Sequence, residues 1–503
     1  MIFDGFGVNP SRTYNGWAQA NTPHLDQYFA TNPHTVLQAS GLAVGLPDGQ
    51  FGNSEVGHQT IGSGRILEQE LLRIAETIRD GELAEMPDWQ AMLANSRRLH
   101  LIGLVSDGGV HSHIAHLLEI LPLIVKAGVE PVIHMMTDGR DTPVKSALGY
   151  LDQLEAKLKK LGCGYIASVS GRYWAMDRAK NLDRTERAWR AIVLGKGNQA
   201  SSPREALEIA YARGETDEFI KPTVIGRPEL PLIGSDESVL FFNFRSDRAR
   251  QLTAAIGLPD FEGFDRGESG VRKITCMTQY NANFPFPALF LPQRPEKVLA
   301  EVISQAGLRQ FHCAETEKFP HVTYFFNGGW EKPFPGEERA VIPSPKVATY
   351  DMQPEMSTPQ VADELIKAID SDQYHFLLVN FANGDMVGHT ASLDAVVQAI
   401  EALDVHSNRV IEKALSRGYR VMLTADHGNC DEMKDPLTGE AHTQHTVYPV
   451  PFLLIGDTDK TEVQLGIGRG LSDIAPTVLD LLGLSKPVRM TGRSLILKNS
   501  LGI

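Results

Sequence analysis

The stretch HFLLVNFANGDMVGH, residues 375–389, contains the pattern that decides the fold. A continuous apolar run of β type leads directly into Asp385, and such a run suits a strand buried on both faces of a sheet. The same grammar recurs in YRVMLTADHGN (419–429) and VPFLLIGD (450–457). Earlier it appears in HLIGLVSDGG (100–109), PVIHMMTDGRD (131–141), YIASVSGR (165–172) and VLFFNFRSDR (239–248). Helical patterns separate these runs: VKSALGYLDQLEAKLKKLG (144–162), which ends on glycine, and SLDAVVQAIEALDVHSNRVIEKALSRG (392–418). A third, SDIAPTVLDLLG (472–483), carries Ser472 as its expected N-cap. Alternating strands and helices predict an α/β protein, here with two sheets in two domains. Residues 284–297, FPFPALFLPQRPEK, carry four prolines and read as a linker.

The chain has 503 residues, enough for two or three domains with substantial cores. With 42% hydrophobic and 22% charged residues it fits neither a disordered nor a fibrous protein. Lys and Arg total 48 against 62 Asp and Glu, a net charge of -14, which argues against a general nucleic-acid binder. Cys163, Cys276, Cys313 and Cys430 form no C-x-x-C pair, so neither a disulfide framework nor a zinc finger is expected. Asp4 falls where a signal peptide would need an apolar core, and no apolar run reaches the length of a membrane span. The expectation is a cytoplasmic chain with neither membrane nor nucleic acid as partner.

In nearly every strand, residues with chemical character follow the apolar run directly. Open parallel sheets bind ligands outside the carboxyl ends of their strands, so two such sheets predict two facing half-sites. Asp385 and His389 stand four apart, a spacing that aligns both side chains on one helical turn and could grip a metal. Asp426 and His427 end another strand, and His442 and His445 precede a third, with His442 read as a surface histidine. Near the start, Asp4 ends a short apolar stretch, and Ser54 stands between Gly52 and Gly57 in DGQFGNSEVGH (48–58). A capping or turn serine is the ordinary alternative for Ser54. Carboxylates and imidazoles without thiolates suit manganese or zinc, with magnesium less favoured. A divalent cation would lower the pKa of the Ser54 hydroxyl, and two would offset charge on a phosphoryl group in transfer.

Arg140, Arg172, Arg178, Arg245 and Arg248 occupy strand-end segments of the middle region. Arginine's planar fork binds phosphate and carboxylate two-pronged, so five of them point to a pocket for a small polyanion. Ion pairing with Asp141, Asp177 and Asp247 is the alternative. His111 and His113 follow a glycine pair ahead of a helix, and one of them is placed to exchange a proton. Lys318 precedes an apolar run and could supply a point charge near a phosphoryl group, or simply be solvated.

Several long segments resemble the cofactor-independent (2,3-bisphosphoglycerate-independent) phosphoglycerate mutases, of the alkaline-phosphatase-like superfamily. They include ANTPHLDQYFATNPHTVLQASGLAVGLPDGQFGNSEVGHQTIGSGR, SDGGVHSHIAHL, DGRDTPVKSA, SGRYWAMDR, FFNFRSDRARQLT, ETEKFPHVTYFFNGG and TADHGN. The resemblance implies interconversion of 3-phosphoglycerate and 2-phosphoglycerate through a phosphoserine at Ser54. It implies one metal on Asp4, Ser54, Asp426 and His427 and another on Asp385, His389 and His445. It further implies that His111, Arg140, Asp141, Arg172, Arg178, Arg245 and Arg248 bind substrate and that Lys318 assists at the phosphoryl group. A phosphatase-like domain (1–66 and 298–503) would be split by an inserted transferase domain (67–297), the two crossings forming a hinge. A monomer acting on a small molecule is expected. A phosphohydrolase or a phosphopentomutase of the same superfamily is the alternative, and a silent metabolite-binding protein a further one.

Overall fold

A computed structural model of the chain describes residues 1–94, 96–226, 233–234, 237–267, 273–435, 439–456 and 463–497. The chain divides into two compact units, Met1–Gln69 with Gln293–Ile503, and Glu70–Pro292. Each is built on its own eight-stranded sheet.

In the first unit the strands run in the order Glu337–Ile342, Gln310–Glu315, Phe376–Phe381, Ile2–Phe3, Val421–Thr424, Val450–Ile455, His34–Gln38 and Arg469–Gly470. The first five are mutually parallel. The short strand Ile2–Phe3 lies between two neighbours, with Ile2 opposite Asn380 on one side and Thr424 on the other. Only two residues long, it still delivers Asp4 to the middle of the sheet's carboxyl edge. The Asp4 amide continues the ladder by donating to the Phe381 carbonyl at 3.0 Å. The helix Leu393–Ser416 buries its apolar stripe, Val396, Ile400, Leu403, Val410 and Ile411, in this unit's core.

In the second unit the order is Ala288–Phe290, Lys273–Thr278, Ser238–Phe241, Arg98–Leu104, Glu130–Thr137, Tyr165–Gly171, Thr223–Ile225 and Asn198–Ala200. The first six are parallel, and their near-continuous burial matches their apolar sequences. The helix Ala147–Leu161 stops at Gly162, which takes φ 64°, a left-handed cap suited to glycine.

Two sequence expectations change. The proline-rich segment 284–297 is not wholly linker, because Ala288–Phe290 pairs with Lys273–Thr278 at the sheet margin. An edge strand needs one hydrogen-bonded side only, so flanking prolines do not forbid it. Ser472 does not cap the last long helix. It lies in a 3₁₀ turn, Leu471–Asp473, and Asp473 precedes the helix Ile474–Leu481 while its carboxylate accepts from the backbone amides of Gly470 and Arg493. Among the described residues no helix is long and apolar enough to cross a membrane.

Candidate active site

In the first unit, Asp4, Lys318, Asp385, Asp426 and His427 all follow carboxyl ends of parallel strands, and Ser54 opens the helix Ser54–Ser63. Asn53, not Ser54, caps that helix, accepting from the Val56 amide at 3.0 Å, which leaves the serine hydroxyl free for other partners. Ser54 Oγ donates to Asp4 Oδ1 at 3.1 Å, lies 3.0 Å from His427 Nε2, and receives a bond from Lys318 Nζ at 2.8 Å. Lys318 also donates to Asp4 Oδ1 at 2.8 Å and Asp385 Oδ2 at 2.6 Å. Two glycines permit this density. A Cβ on Gly5, which takes φ +78°, would stand 2.7 Å from the Asp385 amide, and one on Gly57 2.6 Å from the Asp426 carbonyl.

Three imidazoles share one arrangement. His389, His427 and His445 each direct Nδ1 at a carbonyl oxygen, of Thr443 (2.8 Å), Gly428 (3.2 Å) and Gly52 (2.8 Å). A carbonyl accepts only, so Nδ1 carries a proton, and in the neutral imidazole Nε2 is the nitrogen with the lone pair. Those Nε2 atoms lie beside carboxylates: His389 and His445 stand 3.2 and 3.1 Å from Asp385 Oδ1, and His427 3.3 Å from Asp4 Oδ1. Asp385, His389 and His445 form one group that could hold an ion, and Asp4, Asp385 and His427 another. Asp426 Oδ2 is buried and accepts no hydrogen bond, although His58 Nδ1 stands 3.1 Å from it, and a cation would satisfy it. Carbonyl-oriented imidazoles converging with carboxylates are the usual construction of a divalent metal centre, so the residues fit such ions.

The electrostatics agree. Burial opposes the charged form of Asp4, yet the Lys318 ammonium beside it holds its carboxyl far below the usual range, and Asp385 is lowered for the same reasons. Burial also opposes the charged form of His427, but Asp426, Asp4 and Asp385 outweigh it and push the imidazole up to about 10. A dense set of negative charges thus draws positive charge to this point.

The second unit gathers the other set. Arg172 is 3% exposed and donates to Asp138 Oδ1 at 2.7 Å and Asp141 Oδ2 at 2.5 Å. Arg178 pairs with Asp247 at 2.6 Å and Arg245 with the same carboxylate at 3.3 Å, while Arg140 reaches only Glu218 at 3.7 Å. The ion-pair reading of these arginines is therefore correct in part. Arg248 has a carbonyl partner, Met176, and is pushed down by burial and then by the guanidiniums of Arg172, Arg178 and Arg140. Neighbouring guanidiniums of like charge disfavour one another's charged form, and an anion among them would relieve that. His111 is buried between Asp141 and Asp247, and burial followed by Arg172 lowers it to about 4. His113 instead caps the helix Ile114–Lys126, accepting from the Ala115 amide at 3.1 Å, which makes it the structural member of the pair. His442 bonds the Glu432 carbonyl and belongs to none of the ion-holding groups among the described residues.

Sequence reasoning passed over several contributors. Asp138 shapes the DGRD turn by accepting from the Arg140 and Asp141 amides, Ser106 and Arg172. Asn429 donates to Asp385 Oδ1 at 3.0 Å, and Asn380 to Asp4 Oδ2 at 2.7 Å. Asn380 was visible as the one polar residue inside the run FLLVNF, and His58 as the residue one helical turn after Ser54.

The family model of the Metalloenzyme superfamily matches residues 1–486, which defines the class: a metalloenzyme of that superfamily. A 2,3-bisphosphoglycerate-independent phosphoglycerate mutase of Symbiobacterium thermophilum is 50% identical, over 100% of this chain and 98% of its own. The Pseudomonas fluorescens protein of the same name is 47% identical over 99% and 98%. A crystal structure of Leishmania mexicana phosphoglycerate mutase, at low cobalt concentration, superposes with a TM-score of 0.74 at 33% identity, covering 99% and 96% of the two chains. The chain belongs to the 2,3-bisphosphoglycerate-independent phosphoglycerate mutase family.

Proposed function

We propose that the protein interconverts 3-phosphoglycerate and 2-phosphoglycerate through a phosphoserine at Ser54. Two divalent cations, manganese in preference to magnesium or zinc, would be held by Asp4, Ser54, Asp426 and His427 and by Asp385, His389 and His445. The observation that carries this reading is the buried Ser54 hydroxyl, set among Asp4, His427 and Lys318, with Lys318 also bonded to the Asp385 carboxylate on which His389 and His445 converge. Cations bound there lower the pKa of a coordinated hydroxyl and offset charge on a phosphoryl group.

Ser54 Oγ gives up its proton and forms a bond to phosphorus as the bond from phosphorus to the glycerate oxygen breaks. The freed glycerate oxygen takes up a proton. In the return step the other glycerate hydroxyl gives up its proton and attacks phosphorus as the bond from phosphorus to Ser54 Oγ breaks, and the released serine oxygen takes a proton back. Lys318, raised well above its ordinary pKa by Asp385 and Asp4 against the effect of burial, keeps its positive charge beside Ser54. His111 is uncharged at neutral pH and is suited to receive a hydroxyl proton, while Arg140, Arg172, Arg178, Arg245, Arg248 and Asp141 hold the phosphoglycerate. Arginine forks suit both the carboxylate and the phosphate of that substrate. The relatives' names favour a mutase over a phosphohydrolase or phosphopentomutase. A monomer acting on a small molecule, with no membrane partner, completes the reading; the four free cysteines fit a reducing compartment such as the cytoplasm, and the acidic balance argues against a nucleic-acid partner.

Phosphorus NMR tests the reading. With 3-phosphoglycerate and Mn²⁺, and no added bisphosphoglycerate, the signal of 2-phosphoglycerate should grow to equilibrium. Accumulation of free phosphate alone would instead assign a hydrolase.

A further inference from the structure

His58 lies one helical turn after Ser54, fully buried, and is one of a trio with Asp4 and Asp426 whose geometry would admit a cation. Its hydrogen bonds decide against ligation. Asn380 Nδ2 stands 2.7 Å from Asp4 Oδ2 and 3.0 Å from His58 Nε2. The Asp4 carboxylate only accepts, so the amide nitrogen must face it, because a turned amide would set two oxygens against each other. That nitrogen has only hydrogens to offer, and His58 Nε2 therefore accepts. On the other side of the ring, Nδ1 lies 2.9 Å from the Ser54 carbonyl, which only accepts, so Nδ1 carries the proton and donates it there, while Asp426 Oδ2 stands 3.1 Å away without a hydrogen bond. Neither ring nitrogen retains a lone pair for a metal, in contrast to His389, His427 and His445. Asn380 Oδ1 is left buried and without a hydrogen-bond partner, a cost incurred by aiming both amide hydrogens at this network.

We propose that His58 is a positioning residue: as the Nδ1–H tautomer bonded to the Ser54 carbonyl, it fixes the Asn380 amide that holds Asp4 and sets its N–H edge beside the Asp426 carboxylate, without itself binding a cation. The proposal rests on the metal assignment given under the proposed function. The relay ties three chain-distant elements to one ring: the strand ahead of Asp4, the strand carrying Asn380 and the turn carrying Asp426. Residues that orient metal ligands in this way typically contribute 10–100-fold in affinity.

Nitrogen-15 NMR of histidine-labelled protein, metal-free and loaded with Mg²⁺, reads the tautomer directly, with the His58 signals assigned by their loss in His58→Gln. A protonated Nδ1 and a bare Nε2 are expected. Mn²⁺ affinity, measured by electron paramagnetic resonance of the free ion, should fall about 10–100-fold in His58→Leu and Asn380→Ala. In His58→Gln it should be largely retained, because a glutamine amide can both donate and accept. A merely space-filling role would reverse that order, leucine being tolerated at least as well as glutamine. A proton on Nε2, or wild-type Mn²⁺ affinity in His58→Leu, overturns the proposal. Wild-type protein that neither binds Mn²⁺ nor converts 3-phosphoglycerate would instead overturn the metal assignment, while the NMR still decides the tautomer.

Discussion

The two clusters at the strand ends differ in how far they satisfy themselves. Around Ser54, the side chains of Asp4, Lys318 and Asp385 are 0–4% exposed and bonded to one another. In the other unit the side chains of Arg140, Arg178 and Arg245 are 47–55% exposed, and their carboxylate partners are shared or distant. Reactive atoms need fixed positions, and a buried network of opposite charges supplies them at the expense of desolvation. A ligand-gathering surface needs open donors, whose charge is completed by the anion itself.

Ser54→Ala is the sharpest break between the halves. On the proposed phosphoserine route turnover should fall by at least about 10⁴-fold, since that route needs the Ser54 hydroxyl as phosphoryl acceptor, with thermal stability close to wild type. Isomerisation surviving in that variant would remove the phosphoserine route. Lys318→Met should destabilise the metal-free protein by about 3–5 kcal/mol, since it strands Asp4 and Asp385 without a counter-charge. Added Mn²⁺ should restore more stability to this variant than to wild type in calorimetry, and an equal response would show that the lysine and the ions do not share the same carboxylates.

Acidification tests the two units together. His111 and His116 are lowered to about 4, each by burial first, and burial places His134 well below its ordinary value. The unfolded chain binds protons on these groups near 6.5. They therefore contribute stability above that pH, which is lost as pH falls from about 6.5 towards 4. His427, shifted upward, acts with opposite sign, its contribution being present below 6.5 and lost as pH rises through about 10. Burial also lowers His321 and His312 of the first unit, so acid weakens both units. Hydrogen exchange at pH 7 and pH 5, corrected for intrinsic rates, should show segments 98–104, 130–137 and 310–315 losing protection, and unchanged protection there would contradict it. The smallest effect belongs to the exposed guanidiniums. Arg178→Lys or Arg245→Lys should raise KM about tenfold through loss of two-pronged binding, with kcat and Tm little changed.

Much of this was legible in the chain. Ser54, Asp385, His389, Asp426, His427 and His445 stand out because short spacing and strand-end position are local properties, and the structure sets them together in one unit. His58 and Asn380 carried signals too, but a buried histidine on a helix and an asparagine in a strand ordinarily read as packing. The edge strand Ala288–Phe290 escaped notice because four nearby prolines outweighed three apolar residues, although one paired side suffices at a margin.

The order of apolar runs and helices determined by itself that this would be an α/β protein with its chemistry at strand ends, because burial on both faces of a parallel sheet leaves a direct imprint on composition. Which of two neighbouring histidines does what was decided only in three dimensions. His111 and His113, His442 and His445, and His58 against His427 differ in the acceptors and donors that distant segments bring to each ring. A proton's place on an imidazole is set by those partners, and no local sequence pattern records them.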